Sequence, residues 1–329
     1  MKRVRFAPSP TGSLHVGNAL SAVANRALGD WMLLRIDDTD PARNLPGGQE
    51  EILRDLDWLG IEWEEGPVHA SERAARHREA AAELPQRFGG VMLWRDDGSP
   101  TYHLASVVDD VDFGITHVLR GNDHRPNEAL HRRLFEALGA KPPEILHHGL
   151  ILGGDGKKLA KRAPGATVAS LREAGIPAEA VRRYLEELDI PKHDVRYDLP
   201  RIRRLAVDVI AALSDAELAA RVGAPVEVVP ALRGARDLNE AREYAEAIAA
   251  PPAPVPTKAP ETLERFKELL ERSNGAVDAR AVIRELKAVG GDLHALRLAL
   301  TGSDRGPELW TVIAALPRDE ALRRVDAAL

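Results

Sequence analysis

Two stretches of this chain hold residues suited to handling a phosphate. The first is Pro10-Thr11-Gly12-Ser13-Leu14-His15-Val16-Gly17-Asn18, in which glycines stand beside the expected start of a helix. A helix N-terminus offers unpaired N–H groups and the positive end of its dipole, and both favour an anion. His15 can hydrogen-bond or carry charge beside a phosphate, and Gly17 leaves room for a purine ring to approach the backbone. Taken alone, the same letters also describe a turn with a capping histidine. The second stretch is Gly153-Gly154-Asp155-Gly156-Lys157-Lys158-Leu159-Ala160-Lys161-Arg162. A glycine-rich loop followed by packed lysines is a flexible cationic arm, able to close over a triphosphate and neutralise charge developing on it. Alone, it reads equally as a solvated basic loop or as a set of phosphate contacts to nucleic acid.

The elements that must position these stretches alternate. Val4-Arg5-Phe6-Ala7 is a short run with apolar alternation that stops at a Pro-Ser-Pro-Thr-Gly turn. Leu20, Val23, Ala24 and Leu28 then recur at helical spacing, so a helix should begin near His15 to Asn18. Trp31 to Ile36 is a second strand, and Ile52, Leu53, Leu56 and Leu59 mark an amphipathic helix closed by Gly60. Residues 69–90 read as helical, ending in Gly89-Gly90. Val91 to Trp94 and the hairpin-like Asp96-Asp97-Gly98 restart strand structure. Gly114 to Arg120 is a further strand, Asn127 to Leu138 a helix, and Ile145 to Leu152 strand-like. Strand, loop and helix in repetition is an α/β pattern.

From about Thr167 the pattern turns helical and stays so, through Leu171, Val181, Tyr184, Leu185 and Leu188, then Ile202 to Val222 and Leu238 to Ala249. The prolines of residues 250–260 favour an extended linker. The tail from Glu261 to Leu329 reads as about four short helices. From Pro251 onward lysines plus arginines number 12, as do aspartates plus glutamates, so charge gives a nucleic-acid-binding surface there no support.

Composition sets the outer limits. The chain has 329 residues, 44% hydrophobic and 29% charged, as expected of a globular protein with a real core. No apolar run approaches the length of a membrane span, and the N-terminus lacks the apolar stretch of a signal peptide, so a cytoplasmic enzyme is expected. With no cysteine there is no disulfide, no thiolate nucleophile and no cysteine-based zinc site; a metal held by carboxylates stays open. A formal charge of -6 argues against non-specific coating of nucleic acid but not against a local basic face.

Together, in this order and between strand patterns, the two stretches resemble the HIGH and KMSKS signatures of class I aminoacyl-tRNA synthetases. Arg5-Phe6-Ala7-Pro8-Ser9-Pro10-Thr11-Gly12 resembles the opening of glutamyl-tRNA synthetases. So do Leu34-Arg35-Ile36-Asp37-Asp38-Thr39-Asp40, Thr101-Tyr102-His103-Leu104 to Asp110, and Gly114-Ile115-Thr116-His117-Val118-Leu119-Arg120-Gly121. The likeness is specific over residues 1–190 and fainter beyond, where Leu296-Arg297-Leu298-Ala299-Leu300-Thr301-Gly302 is similar to that family's last domain.

The resemblance implies an α/β Rossmann-type catalytic domain over 1–165 with a reduced insertion near 70–95. All-α domains would follow, stem-contact-like over 166–250 and anticodon-binding-like over 251–329. It implies glutamate held by Arg5, Ala7, Ser9, Asp37, Tyr102, Ser106 and Arg120, with two guanidiniums for a dicarboxylate, each able to grip one carboxylate bidentately. ATP, as a substrate accompanied by Mg²⁺, would meet Pro8, Thr11, His15, Gly17, Asn18, Lys158, Leu159 and Lys161. His15, Lys158 and Lys161 would stabilise the α-phosphate during attack by the glutamate carboxylate. No zinc and no covalent enzyme intermediate are expected. The partners implied are a glutamate-specific tRNA and L-glutamate, with no membrane, and the protein is expected to be a monomer.

Four features depart from the family's pattern. Asp37 stands where glutamate is usual, Ser106 where asparagine is common, and Ala160 where the mobile loop has serine. The long insertion between the catalytic halves, which embraces the tRNA acceptor end, is cut to a few residues. The alternatives are therefore an enzyme that glutamylates a modified tRNA base or a non-tRNA acceptor, and a paralogue that binds glutamate and ATP without turnover.

Overall fold

The computed structural model describes the chain except residues 251–252, 254–255 and 274–276. It divides into two compact units: residues 1–173 with 178–201, and residues 174–177 with 202–329.

The first unit is built on parallel strands. β1 (Arg3–Phe6), β2 (Trp31–Ile36) and β3 (Glu65–His69) form a parallel sheet in the order β1-β2-β3. On the far side of β1, the Thr116 N–H donates to the Arg3 carbonyl at 2.9 Å. That bond sets the start of β6 (His117–Gly121) beside β1, and β6 pairs in parallel with β7 (Glu144–His148). The chain thus leaves β1 toward β2 on one side and meets β6 on the other. In open α/β sheets, ligands bind outside the carboxyl ends of the strands at such a switch point. α1 (Val16–Leu28) crosses from β1 to β2, and Val16, Ala19, Leu20, Val23 and Ala24 form its buried stripe. It packs on β1, β6 and α7 (Ala178–Leu188).

α2 (Gly48–Trp58) buries Ile52, Asp55 and Leu56, and its first turn lies against the Pro10 loop. A Cβ on Gly48 would sit 2.3 Å from the Pro10 carbonyl oxygen, so only glycine allows this approach. α4 (Tyr102–Asp112) and α5 (Glu128–Ala137) enclose a small core of Leu93, Leu104, Val107, Val108, Leu134 and Phe135.

Residues 69–90 are not one helix. β3 runs to His69, a short 3-10 turn covers Ser71–Arg73, and α3 spans only Ala74–Ala80. Pro85 disfavours helical backbone at Leu84, and the chain turns at Gly89-Gly90 (φ 60° and 85°) into a hairpin of β4 (Arg87–Phe88) and β5 (Val91–Met92). The run from Ile145 to Leu152 is likewise two strands. Gly149 interrupts it, donating to the Pro191 carbonyl at 2.6 Å, and β8 (Ile151–Leu152) pairs with β9 (Val195–Arg196) instead of β6. β9 also breaks the all-helical pattern expected after Thr167, although α6 (Val168–Glu173) and α7 are helices.

The second unit is helical in its described residues. It contains α8 (Leu199–Ala212) from Ile202 onward, α9 (Asp215–Val222), α10 (Val229–Leu232) and α11 (Leu238–Ala249). Five more follow, where about four were expected: α12 (Pro260–Arg272), α13 (Ala279–Ala288), α14 (Leu293–Thr301), α15 (Leu309–Ala315) and α16 (Arg318–Ala328). They share a core that includes Leu218, Leu232, Leu263, Phe266, Leu286, Leu296, Val312 and Val325. The proline-rich linker expected at 250–260 lies in part outside the described residues.

Candidate active site

A cavity of about 680 Å³ opens at the carboxyl ends of β1 and β6. Of the residues singled out from the sequence, Arg5, Ala7, Pro8, Ser9, Thr11, His15, Gly17, Asn18, Asp37, Tyr102, Arg120 and Lys158 line it. Ser106, Leu159 and Lys161 do not.

One end of the cavity is organised by His15, which is the N-cap of α1. Its Nδ1 accepts the Gly17 N–H at 3.1 Å, so the neutral ring carries its proton on Nε2. That Nε2 is buried and has no partner. The capping turn and the phosphate-handling histidine are therefore the same residue, since the cap aims the free N–H. Burial, aided by the charges of Lys158 and Lys161 and opposed by the Leu159 backbone, lowers the His15 pKa.

The loop that presents His15 is held from behind by Asp55 of α2, which is fully buried. One carboxylate oxygen of Asp55 accepts from the Ser13 hydroxyl at 2.7 Å and the Leu14 N–H at 2.8 Å. The other accepts from Arg172 of α6 at 2.9 Å.

The lysine-bearing stretch is more structured than a free arm. Leu152 and Lys158 form an antiparallel bridge, the turn passes through Gly156 (φ 74°), and the Leu159 N–H donates to the Ile151 carbonyl at 3.0 Å. Lys161 Nζ lies 2.5 Å from the Thr11 carbonyl, joining this loop to the first motif. Lys158 Nζ rests on Asp123 at 2.6 Å, with both side chains substantially exposed. Burial tends to raise the Asp123 carboxyl, but the adjoining Lys158 more than offsets it and holds the group below its ordinary range. An exposed pair of this kind contributes only about 0–1 kcal/mol, so Lys158 can leave it readily.

The other end holds guanidinium groups. Arg5 donates to Asp110 at 3.2 Å. Behind it Arg35, fully buried, lies 3.5 Å from Asp109 and 3.6 Å from Asp110. Ser106 serves this layer: its hydroxyl accepts from Arg35 at 2.9 Å, and it faces away from the cavity. Arg120 differs, because among the described residues no carboxylate lies within ion-pairing distance of it. Its Nη1 donates to the Tyr102 hydroxyl at 3.3 Å and to His131 Nδ1 at 3.2 Å, and its Nε donates to His147 Nε2 at 3.4 Å. Its buried Nη2 has no partner.

The acidic run near Asp37 serves several ends. Asp37 lines the cavity and accepts from the Thr39 hydroxyl at 2.9 Å, while Asp38 accepts from the Ser71 N–H and hydroxyl. Asp40 precedes a 3-10 turn over Pro41–Arg43 without a side-chain cap bond. Among the described residues, no group of three or more metal-ligating side chains comes together.

Sequence reasoning passed over Asp55, Asp110, His131 and His147. For Asp55 a signal exists: Ile52, Asp55, Leu56 and Leu59 fall on one helical stripe, and an acid on a buried stripe needs a partner.

Comparison with known proteins adds a second line of support. The family described as class I tRNA synthetases (E and Q), catalytic domain, matches residues 1–87 and 83–197, and an anticodon-binding domain family matches 235–329. The two catalytic segments meet at 83–87, at the exit of α3. A glutamate–tRNA ligase of Rubrobacter xylanophilus is 34% identical, covering 99% of this chain and 97% of its own. The alignment runs over 424 positions against 329 residues here, so that relative carries many residues this chain lacks. A second glutamate–tRNA ligase, from Rhodospirillum centenum, is 30% identical over 98% of each chain. Among solved structures, a glutamate tRNA ligase from Elizabethkingia meningosepticum in complex with its amino acid matches over 99% of each chain, with TM-score 0.78 at 22% identity. It shares the fold.

Proposed function

This chain belongs to the class I tRNA synthetases for glutamate and glutamine, and we propose that it activates L-glutamate with ATP and transfers it to the 3′ end of a glutamate-specific tRNA. One observation carries the reading. Among the buried N–H donors without a hydrogen bond of normal geometry are Arg120 Nη2 and His15 Nε2, both on residues that line one cavity. The first suits a carboxylate and the second a phosphate.

In this reading Arg5, with Ala7 and Ser9 beside it, and Arg120 take the two carboxylates of glutamate. Asp37 takes the ammonium, and Tyr102 lines the side-chain pocket. Ser106, which belongs to the layer behind, acts through Arg35. ATP lies along Pro8, Thr11, Gly17, Asn18 and the backbone of Leu159. His15, Lys158 and Lys161 gather around its phosphates, and Lys158 exchanges Asp123 for a phosphate oxygen. Mg²⁺ arrives with the nucleotide and is held mainly by phosphate oxygens and water. No zinc is called for.

A glutamate α-carboxylate oxygen then attacks the α-phosphorus in line. The bond to the β-phosphate breaks with its electron pair going to pyrophosphate, and no proton moves. In the second step a ribose hydroxyl of the tRNA attacks the activated carbonyl, and AMP leaves with the hydroxyl proton. The cationic groups act by electrostatic stabilisation, so no covalent enzyme intermediate is needed. Residues 1–165 carry this chemistry, 166–250 contact the stem, and 251–329 bind the anticodon. The protein works as a cytoplasmic monomer; no helix among the described residues is long and apolar enough to cross a membrane.

The test is ATP–pyrophosphate exchange with glutamate, glutamine and aspartate, each with and without total tRNA. Exchange specific for glutamate and dependent on tRNA is expected. Exchange that ignores tRNA would point to another acceptor, and no exchange by folded protein would overturn the enzyme reading.

A further inference from the structure

Arg120 is a buried guanidinium fixed without a carboxylate. A buried arginine is usually fixed by a carboxylate, as Arg5 is by Asp110. That solution would spend the positive charge that a substrate carboxylate needs. Here the fixing groups are His131 Nδ1, His147 Nε2 and the Tyr102 hydroxyl, at 3.2, 3.4 and 3.3 Å.

Because a guanidinium only donates, each of these atoms must accept, and the rest of the proton pattern follows. His131 carries its proton on Nε2 and donates to His103 Nδ1 at 3.1 Å. His147 carries its proton on Nδ1, which faces Glu128 Oε2 at 3.6 Å. The Tyr102 hydroxyl accepts from Arg120 and shares a hydrogen bond with His124 Nδ1 at 3.2 Å. At neutral pH the His131 and His147 rings stay uncharged in the folded protein. Burial, with the Arg120 charge second, holds His131 down to about 2 and His147 to about 4, and burial also lowers His103 and His124.

We propose that His131 and His147 are positioning residues that clamp Arg120 with neutral acceptors, reserving its charge and its Nη2 for the side-chain carboxylate of the substrate, and so exclude a carboxamide. The exclusion follows from the direction of the protons. The acceptor nitrogens of His131, His147 and His103 are all engaged, so none of these three rings is left to accept from the NH₂ of a carboxamide. A buried donor left without a partner is costly, and sites built this way discriminate strongly.

This rests on reading the cavity as a glutamate pocket, and the experiment separates the two. ATP–pyrophosphate exchange is measured with total tRNA for wild type, His131→Gln, His131→Leu and His131→Glu, recording KM for glutamate, KM for ATP, kcat, and the glutamate/glutamine preference. A wild type that exchanges with no amino acid overturns the pocket reading and the clamp together; an active wild type leaves the variants to decide the clamp alone.

Losing a hydrogen bond to a charged group should raise KM for glutamate by about ten- to a hundredfold in His131→Leu, with KM for ATP and kcat little changed. His131→Gln, which can accept from Arg120 and donate to His103, should stay within about threefold of wild type. His131→Glu keeps an acceptor but neutralises Arg120, so its KM for glutamate should rise and its preference over glutamine should fall. Unchanged KM for glutamate in His131→Leu, or equal rises for glutamate and ATP, overturns the clamp. If that variant does not fold, equal glutamate KM values in His131→Gln and His131→Glu overturn it instead.

Discussion

Lowering the pH from 7 to 5 should destabilise the first unit through the histidines around Arg120. His131 is held down to about 2 and His147 to about 4, against an ordinary histidine value near 6.5. Between 6.5 and those folded-state values, the unfolded chain binds protons that the folded chain refuses. The histidine contribution is therefore fully present above about pH 6.5 and is lost as pH falls toward the folded values. The limiting slope is about 1.4 kcal/mol per pH unit for each ring, so His131 alone accounts for about 2 kcal/mol between pH 7 and pH 5. The carboxyls of Asp109 and Asp123 are held below their ordinary range, so they titrate at lower pH and leave this window to the histidines. Urea unfolding followed by tryptophan fluorescence suits the measurement. Of the five tryptophans only Trp310 lies in the second unit, and a Trp310→Phe background makes the signal report the first. In that background His131→Gln should lose about 2 kcal/mol less than the parent over the same pH interval. Equal losses in both proteins, or a parent as stable at pH 5 as at pH 7, would refute the reasoning.

Two further outcomes follow from the other end of the cavity. Asp55→Ala leaves Arg172 with only its longer contact to Glu51 at 3.6 Å and the Ser13–Leu14 turn without its acceptor, so it should cost about 1–3 kcal/mol in denaturant unfolding, and KM for ATP should rise in whatever folded protein remains. Lys158→Ala should lower kcat for exchange by about 10²–10³ while leaving the melting temperature almost unchanged, because its exposed pair with Asp123 adds little stability.

The parts of the fold that could be read from the sequence are those whose side-chain pattern matches their own period. β2 was legible residue for residue and α11 likewise, because a short continuous apolar run or a 3.6-residue stripe marks each without help from the rest of the chain. β3 was not. Glu65-Gly66-Pro67-Val68-His69 is polar and proline-bearing, and it is a strand only because β2 offers it a parallel edge. α4 was hidden for the opposite reason: its buried face includes Ser106, Asp109 and Asp110, which read as solvent-facing until Arg35 and Arg5 arrive from other strands. The site shows the same division. Residues in the two motifs declared themselves by type and spacing, whereas Asp55 and the histidine clamp are defined by contacts across long separations, where spacing carries no information.

Those hidden contacts also bear on how the first unit keeps its cavity in shape. α3, which precedes the junction of the two matched segments, is tied to α4 by Arg73 on Asp109 at 2.7 Å and Arg76 on Asp112 at 2.8 Å, with His77 on Asp109 at 2.7 Å. Asp109 is shared with Arg35, Arg35 shares Asp110 with Arg5, and Arg5 lines the cavity. A continuous series of shared carboxylates therefore runs from α3 to the pocket. Buried ion pairs add little net stability over apolar packing of the same shape, but breaking one strands a charge at about 3–5 kcal/mol. What such a network supplies is register: α3, α4 and β1 fit together in one arrangement, and any slip leaves a guanidinium unpaired. The chain thus holds Arg5 in place through charges inside its first unit, so the register of α3 and α4 and the geometry of the cavity are set together.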